Sequence, residues 1–467
     1  MLQNAQEWAE QEFGDVKLGD KRREERAREI AARLARRPSD SLPQQMGSWA
    51  AQKATYRLLD NDAVSYEALS QPHWQKTRQC CDEKDRTFLL VQDITELDYS
   101  SHKATDGLGP IGDHNGRGML LHNTLALQAE GGEVRGLAYQ QVWQRLDINR
   151  KQTETRTERR QRTNKQSQRW LQAVREIGKP PSDTRWVHVA DREGDIFDFF
   201  QTCTDTEVDF CVRILQNRRI GDWSETTPCY LISELRQLDP MGYRKLTIPA
   251  QTGQPKREVN LAISWQPVTI RSPRNRPGKE TRLDLWAVRI WEPQPAPDSD
   301  PIEWLLLTSV PVETSTDALE RVDWYTHRWV VEEYHKCLKT GCGIEKRRLQ
   351  TAHRLHRLLA FLSILAVRLL QFRDWARTKP YLKAIDVIQP LLVQIMAART
   401  DTDPNIMTVR QFWHAVAQIG GFPQRASDGE PGWERLWHGW LRLLDWAEGV
   451  SFANNLPPIQ DVGNCEA

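Results

Sequence analysis

Several features that would announce a function class are missing. Eight cysteines are present, but none form a C-x-x-C pair: Cys80 and Cys81 are adjacent, and Cys337 and Cys342 lie five apart. That spacing is neither a zinc pattern nor a secreted disulfide framework, so reduced thiols are expected. Residues Met1 to Gly14 are polar and acidic and lack an apolar h-region, so no secretory signal is expected. The longest apolar stretch, Leu358 to Leu370, is interrupted by Arg368 and is short for a bilayer span. No membrane partner is therefore expected, and the reading is a soluble, cytoplasmic chain. Net charge is +1, so bulk electrostatics names no nucleic-acid partner, and any DNA surface must come from local clustering of the 64 Lys and Arg. No fixed-period repeat is present.

The 467 residues suggest two or three domains. Residues 1–70 read as short helices. FLLVQD at 88–93, GMLLHNTLALQ at 118–128 and VRGLAYQQVW at 134–143 read as strands. WVHVAD at 186–191 is a further strand, followed by a helix. Residues 207–310 are again strand-rich, and long helices are expected from about Thr316 to Thr340 and from about Leu355 to Trp375. The order predicts a mixed α/β core carrying an all-β insert at about 214–303. The expected domains are 1–70, 71–375 and a helical 376–467.

Asp93 and Asp191 each close an apolar run that reads as a buried strand. A lone strand-terminal Asp is usually a turn former or helix cap, so the pair alone says little. The segment YTHRWVVEEYHKCLKTG adds weight. On one continuous helix, at about 100° per residue, Tyr325, Arg328, Glu332 and Lys339 share an arc of about 60° opposite an apolar face. Taken alone, such a stripe reads as a solvated face with ion pairs between successive turns. Combined with the aspartates, it gives three carboxylates from two strands and a helix. That set suits Mg²⁺, which takes oxygen ligands and keeps waters, and two ions about 4 Å apart can assist phosphoryl transfer.

The spacing Tyr325, Arg328, Glu332, Lys339 resembles the YREK signature of cut-and-paste bacterial insertion-sequence DDE transposases. VQDITELDYS, VADREGDIFDFF and EWLLLTSVPVE are similar to that family's segments around the first aspartate, the second aspartate and the strand before the catalytic helix. LGDKRREERARE, YRLLDN and IGGF extend the similarity over most of the chain, although 376–412 match poorly. The resemblance implies an RNase H-like core with a β-rich insertion, an N-terminal helical DNA-binding domain and a C-terminal helical domain that dimerises. It implies Asp93, Asp191 and Glu332 as ligands of two Mg²⁺ ions, replaceable by Mn²⁺. It implies Tyr325, Arg328, Lys339 and Arg213 as DNA contacts, and Trp304 as the acceptor of a flipped base. Arg23, Arg26 and Arg57 would contact the transposon ends. Partners would be double-stranded end and target DNA and a second copy of the chain, with nucleoid association when DNA is bound. In relatives an internal Met starts a truncated inhibitor; the matching position here is Ala51. A structure-selective RNase H-like nuclease is the alternative reading, and the basic N-terminal helices weigh against it.

Residues 21–37 carry eight Lys or Arg against three Glu. On a helix, Arg22, Arg26, Arg33, Arg36 and Arg37 fall within about 100° of one another as a basic stripe, with Ile30, Ala31 and Leu34 read as the apolar side; Arg23 lies off the stripe. A second basic stretch, Arg150 to Arg169, reads as a DNA-facing loop and helix. Trp433, Trp437, Trp440 and Leu444 share one helix face, fit for internal packing or for self-association.

Overall fold

The computed structural model describes residues 5–113, 115–145, 166–221, 229–248, 257–273, 281–295, 300–425 and 428–456. Most of the basic stretch 150–169 lies outside them. Two compact units emerge: residues 70–335 with 348–356, and residues 1–69 with 336–347 and 357–467.

The first unit is built on a mixed sheet of twelve strands. They are β1 Thr87–Asp98, β2 Gly109–Ile111, β3 Gly116–Gln128, β4 Val134–Trp143, β5 Arg185–Ala190, β6 Asp209–Arg213, β7 Arg219–Ile220, β8 Cys229–Tyr230, β9 Gly242–Ile248, β10 Arg257–Arg271, β11 Arg282–Trp291 and β12 Glu303–Thr308. The order is β2-β3-β1-β5-β6-β12-β11-β10-β7-β8, with β4 beside β3 and β9 beside β10. β1, β3 and β4 are antiparallel neighbours, whereas β1, β5 and β6 run parallel. The β-rich segment after β6 returns through β12, antiparallel to β6, and so extends the core sheet.

The central strands are buried along nearly their whole length, which explains their near-continuous apolar sequence. Trp170, Leu171 and Val174, from a helix Gln166–Ile177, join Phe197, Phe199 and Phe200, from a helix Phe197–Asp205, in one buried cluster with Phe210 and Val212 of β6. Along β1 side chains alternate between faces. Gln92 meets the buried His188 at 2.6 Å, and its neighbour Asp93 falls on the other face. Burial holds His122 and His188 down to about 3.

The expected single helix over 316–340 is not continuous. It comprises a helix Ser315–Thr326, started by a capping box between Thr314 and Asp317, and a second helix Trp329–Lys336. The first stops at His327, whose ring lies against Gly132 in the β3–β4 turn. A methyl group on Gly132 would collide with that imidazole, and its φ of +72° already favours glycine. A π-turn, Cys337–Gly341, follows the second helix. The one-arc arrangement of Tyr325, Arg328, Glu332 and Lys339 therefore does not hold, because the break and the π-turn change the angular step.

In the second unit, the N-terminal helices Ala5–Phe13, Lys21–Arg36, Leu42–Met46 and Trp49–Leu59 pack with C-terminal ones. Phe13 stacks on Phe361 at 5.0 Å, and Arg368 lies over Trp8 at 5.1 Å, its guanidinium lowered to about 9 by burial. Buried Arg347 donates to the carbonyls of Pro38, Asp40 and Cys342, and Arg357 donates to those of Leu59 and Val64. Helix Ala352–Thr378 is long and apolar enough to cross a membrane. Within its apolar window, however, 89% is buried inside the protein, as in a core helix.

The tryptophan stripe packs internally in part. In helix Trp433–Ala453, Trp437 and Trp440 are buried, Trp433 stacks on Trp437, and Trp440 meets Trp413 of helix Val409–Ile419 at 5.5 Å. These two helices cross in backbone contact. A Cβ on Gly439 would overlap the Val416 carbonyl, and one on Gly420 would overlap that of Arg435. Gly439→Ala should therefore push the helices apart, at a cost of about 1–3 kcal/mol. A thermal melt should show a drop of several degrees, whereas an unchanged melt would contradict the close crossing.

Candidate active site

Asp93 and Asp191 are brought together by strand register. β1 and β5 run parallel, and Val91 pairs with Val189 at the end of the ladder. Asp93 and Asp191 each lie two residues further on, so they stand side by side just past the shared parallel ladder. Asp93 is not strand-terminal, as its apolar run suggested. β1 continues to Asp98 because its antiparallel pairing with β3 persists to Gly118, and Asp93 itself lies opposite Asn123. Asp191 does end its strand and caps the turn Arg192–Gly194, accepting the Glu193 N–H at 2.8 Å. Glu332 comes from the first turn of helix Trp329–Lys336.

Arg328, at the helix break, bridges this group. One guanidinium nitrogen, Nη1, lies 2.9 Å from Asp93 Oδ2 and 3.4 Å from Glu332 Oε1. Asp93 is 9% exposed, and its carboxyl is pushed up to about 7. Burial is the main cause, Arg328 works against it, and the charges of Asp191 and Glu332 add to the rise. Glu332, with its side chain 39% exposed, is instead held down to about 2, chiefly by hydrogen bonding from His335 against the effect of burial, with Arg328 assisting.

Three further expected residues gather beside Arg328. Tyr325 is buried and hydrogen-bonded to Arg213, and burial raises its hydroxyl. Trp304 of β12 is half-buried and meets the Tyr325 ring edge-on at 5.2 Å, so it is not the enclosed core tryptophan that composition alone would favour. Arg213 ends β6 and also donates to the Glu303 carbonyl at 3.2 Å. Lys339 lies in the π-turn with its ammonium 3.5 Å from Glu345.

The N-terminal basic stripe is partly neutralised within its own unit. Arg26 and Arg33 share Glu29, and Arg37 pairs with Asp445 and Glu448. Arg23 donates to the Leu18 carbonyl, whereas Arg22, Arg36 and Arg57 are exposed. Ile30, Ala31 and Leu34 are buried, as the helical pattern required.

Sequence reasoning did not single out His335 or Asn123. Asn123 Nδ2 lies 2.8 Å from His335 Nε2, and His335 Nδ1 lies 3.6 Å from Glu332 Oε2. Spacing alone could have flagged His335, one helical turn after Glu332. Asn123 offered no signal, because its relevance comes from strand pairing.

The donor chemistry fits a divalent cation. Ligand atoms of Asp93, Glu332 and His335 lie within 4.8 Å of one another. Carboxylates delivered by two parallel strands and a helix, beside a cluster of Arg and Tyr, define a metal-dependent phosphoryl-transfer enzyme acting on nucleic acid. Comparison with known families agrees. Residues 134–368 match the family described as Transposase DDE domain, and residues 5–64 match Transposase DNA-binding. The first match spans just over half of the chain, and the chain belongs to the DDE transposase family. It is thus a metal-dependent enzyme that cuts and joins DNA, and the family implies an RNase H-like core. Asp93 lies before the matched segment, and its place in the site rests on the geometry above.

Arg328 is the counter-cation of Asp93 and Glu332. Arg328→Ala removes the cation beside buried Asp93, which is destabilising while the carboxyl is charged and less so once it takes up a proton. The variant should melt several degrees lower than wild type in chelator, and Mn²⁺ should recover part of the loss. Equal melting temperatures in chelator would contradict this role.

Proposed function

We propose that this transposase is of the cut-and-paste, YREK-signature class, the class of the transposase of the composite kanamycin-resistance transposon. It binds transposon ends, cleaves both strands through a hairpin and joins the freed 3′-OH to target DNA. The observation that carries this reading is the cluster around Arg328. The residues of the Tyr–Arg–Glu part of the signature lie at one place with Asp93, Arg213 and Trp304, although the helix that was to align them is broken.

In this reading Asp93, Asp191 and Glu332 hold two Mg²⁺ ions. When bound, the ions supply Lewis-acid assistance to the attacking and leaving oxygens. Arg213, Tyr325, Arg328 and Lys339 grip phosphates near the cut, Arg as a planar fork and Lys as a point charge. Trp304 offers a partly open aromatic face to a base rotated out of the stack when DNA is bent into a hairpin. Arg23, Arg26 and Arg57 of the DNA-binding segment contact the end sequences. Residues 376–467 support a homodimer that pairs two ends.

Two experiments test the reading. Asp93→Ala, Asp191→Ala and Glu332→Ala should each abolish cleavage in Mg²⁺ or Mn²⁺ while retaining binding to end DNA. Near wild-type cleavage by any one of them removes that residue from the ligand set. Trp304→Ala should nick an end at close to the normal rate but accumulate nicked DNA. Loss of one base–aromatic stack is worth about 1–3 kcal/mol, and hairpin formation should slow roughly tenfold to a hundredfold. Equal slowing of both steps, with a lowered melting temperature, would make Trp304 a structural residue only.

A further inference from the structure

Glu332 is the least constrained of the three carboxylates. Its side chain is 39% exposed and its terminal torsion is soft. Asp93 and Asp191, by contrast, each accept a local backbone N–H, at 2.7 and 2.8 Å. Apart from Arg328, which reaches its Oε1 at 3.4 Å, the groups that orient Glu332 must come from beyond its own turn of backbone.

Behind Glu332 lies a buried polar chain with no assigned task. His335 is 6% exposed, Gln140 1% and Asn123 fully buried. Gln140 Nε2 donates to Asn123 Oδ1 and, at 3.0 Å, to Tyr334 Oη. Asn123 therefore turns its amide nitrogen toward His335 Nε2, 2.8 Å away. An imidazole nitrogen that accepts a hydrogen bond carries no hydrogen, so the hydrogen resides on Nδ1, which faces Glu332 Oε2 at 3.6 Å. With the amides reversed, a neutral ring would present a bare Nδ1 lone pair to the carboxylate, which is repulsive. For the neutral imidazole, the carboxylate end thus selects the direction of the chain.

We infer that His335 is a positioning residue for the metal-binding carboxylate: Gln140 and Asn123, on adjacent strands β4 and β3, clamp its imidazole so that Nδ1–H holds Glu332 in the orientation that binds a divalent cation. Strand-borne groups thereby set the aim of a helix-borne ligand. Asn123 also pairs across the ladder with Asp93, so one β1–β3 position bears on two of the three carboxylates. Outer groups that orient a ligand typically change metal affinity by about ten- to hundredfold when removed.

The inference rests on Glu332 as a metal ligand, and the test separates the two ideas. Mn²⁺ binding to the full-length protein without DNA would be measured by calorimetric titration beside a thermal melt. His335→Ala should weaken Mn²⁺ binding roughly ten- to hundredfold. His335→Gln can still donate toward Glu332 and accept from Asn123, so it should recover most of that loss. Asn123→Leu removes the donor with little change of shape and should lose affinity. In cleavage assays the Mg²⁺ concentration for half-maximal rate should rise in parallel. Wild-type Mn²⁺ affinity in His335→Ala overturns the proposal, and so does a Gln variant as weak as the Ala variant, which would make the imidazole itself a ligand. Should His335→Ala fail to fold, the opposite outcomes required of His335→Gln and Asn123→Leu decide alone. Glu332→Gln is the control. Lost binding there with none lost in His335→Ala sinks only the relay, whereas unchanged binding in Glu332→Gln sinks the ligand assignment beneath it.

Discussion

Three carboxylates gathered at one end of a sheet repel one another, and burial makes the repulsion more expensive. Asp93 shows both effects: chiefly its burial, and to a lesser degree the charges of Asp191 and Glu332, push its carboxyl up to about 7 although a guanidinium lies 2.9 Å away. The surrounding architecture manages this excess of negative charge. Parallel register delivers Asp93 and Asp191 together, a helix break places Arg328 between Asp93 and Glu332, and a strand-borne amide reaches Glu332 through His335. A site of this kind is poised for cations: the energy that opposes its assembly is returned when positive charge enters.

The helix break is central to that arrangement. A continuous helix would fix Tyr325, Arg328 and Glu332 at constant angular steps on one face. Ending the first helix at His327, against Gly132, lets Tyr325 turn inward to Trp304 and Arg213. Arg328 meanwhile points at the carboxylates. Chain geometry is thus spent on function at a point where propensity alone would have continued the helix. The β-rich segment after β6 serves the same end, because β12 returns beside β6 and carries Trp304 back to the site.

The second unit depends on a different economy. Its helices are joined by buried arginines that satisfy carbonyls at helix ends and loops. Where two helices cross, glycine replaces side-chain packing with backbone contact. Several arginines of its basic helix are tied to Glu29, Asp445 and Glu448, so its charge is more balanced than a count of basic residues suggests.

Much of this was legible in the order of residues. Apolar runs marked the strands, the 3.6-residue period marked buried Ile30, Ala31 and Leu34, and the spacing of Tyr325, Arg328 and Glu332 marked the helices at the candidate site, because local periodicity is imposed by backbone geometry. What sequence could not decide was where periodicity stops and which strands pair. The run ending at Asp93 looked like the end of a strand, but antiparallel pairing with β3 carries β1 to Asp98. The helix that local periodicity extended stops at His327, whose ring lies beside Gly132. Asn123 gained a link to Glu332 only because a hairpin sets β3 beside β1 and a helix lays His335 across it. Such relations join residues hundreds of positions apart, and only packing, in which each strand's place depends on all the others, determines them.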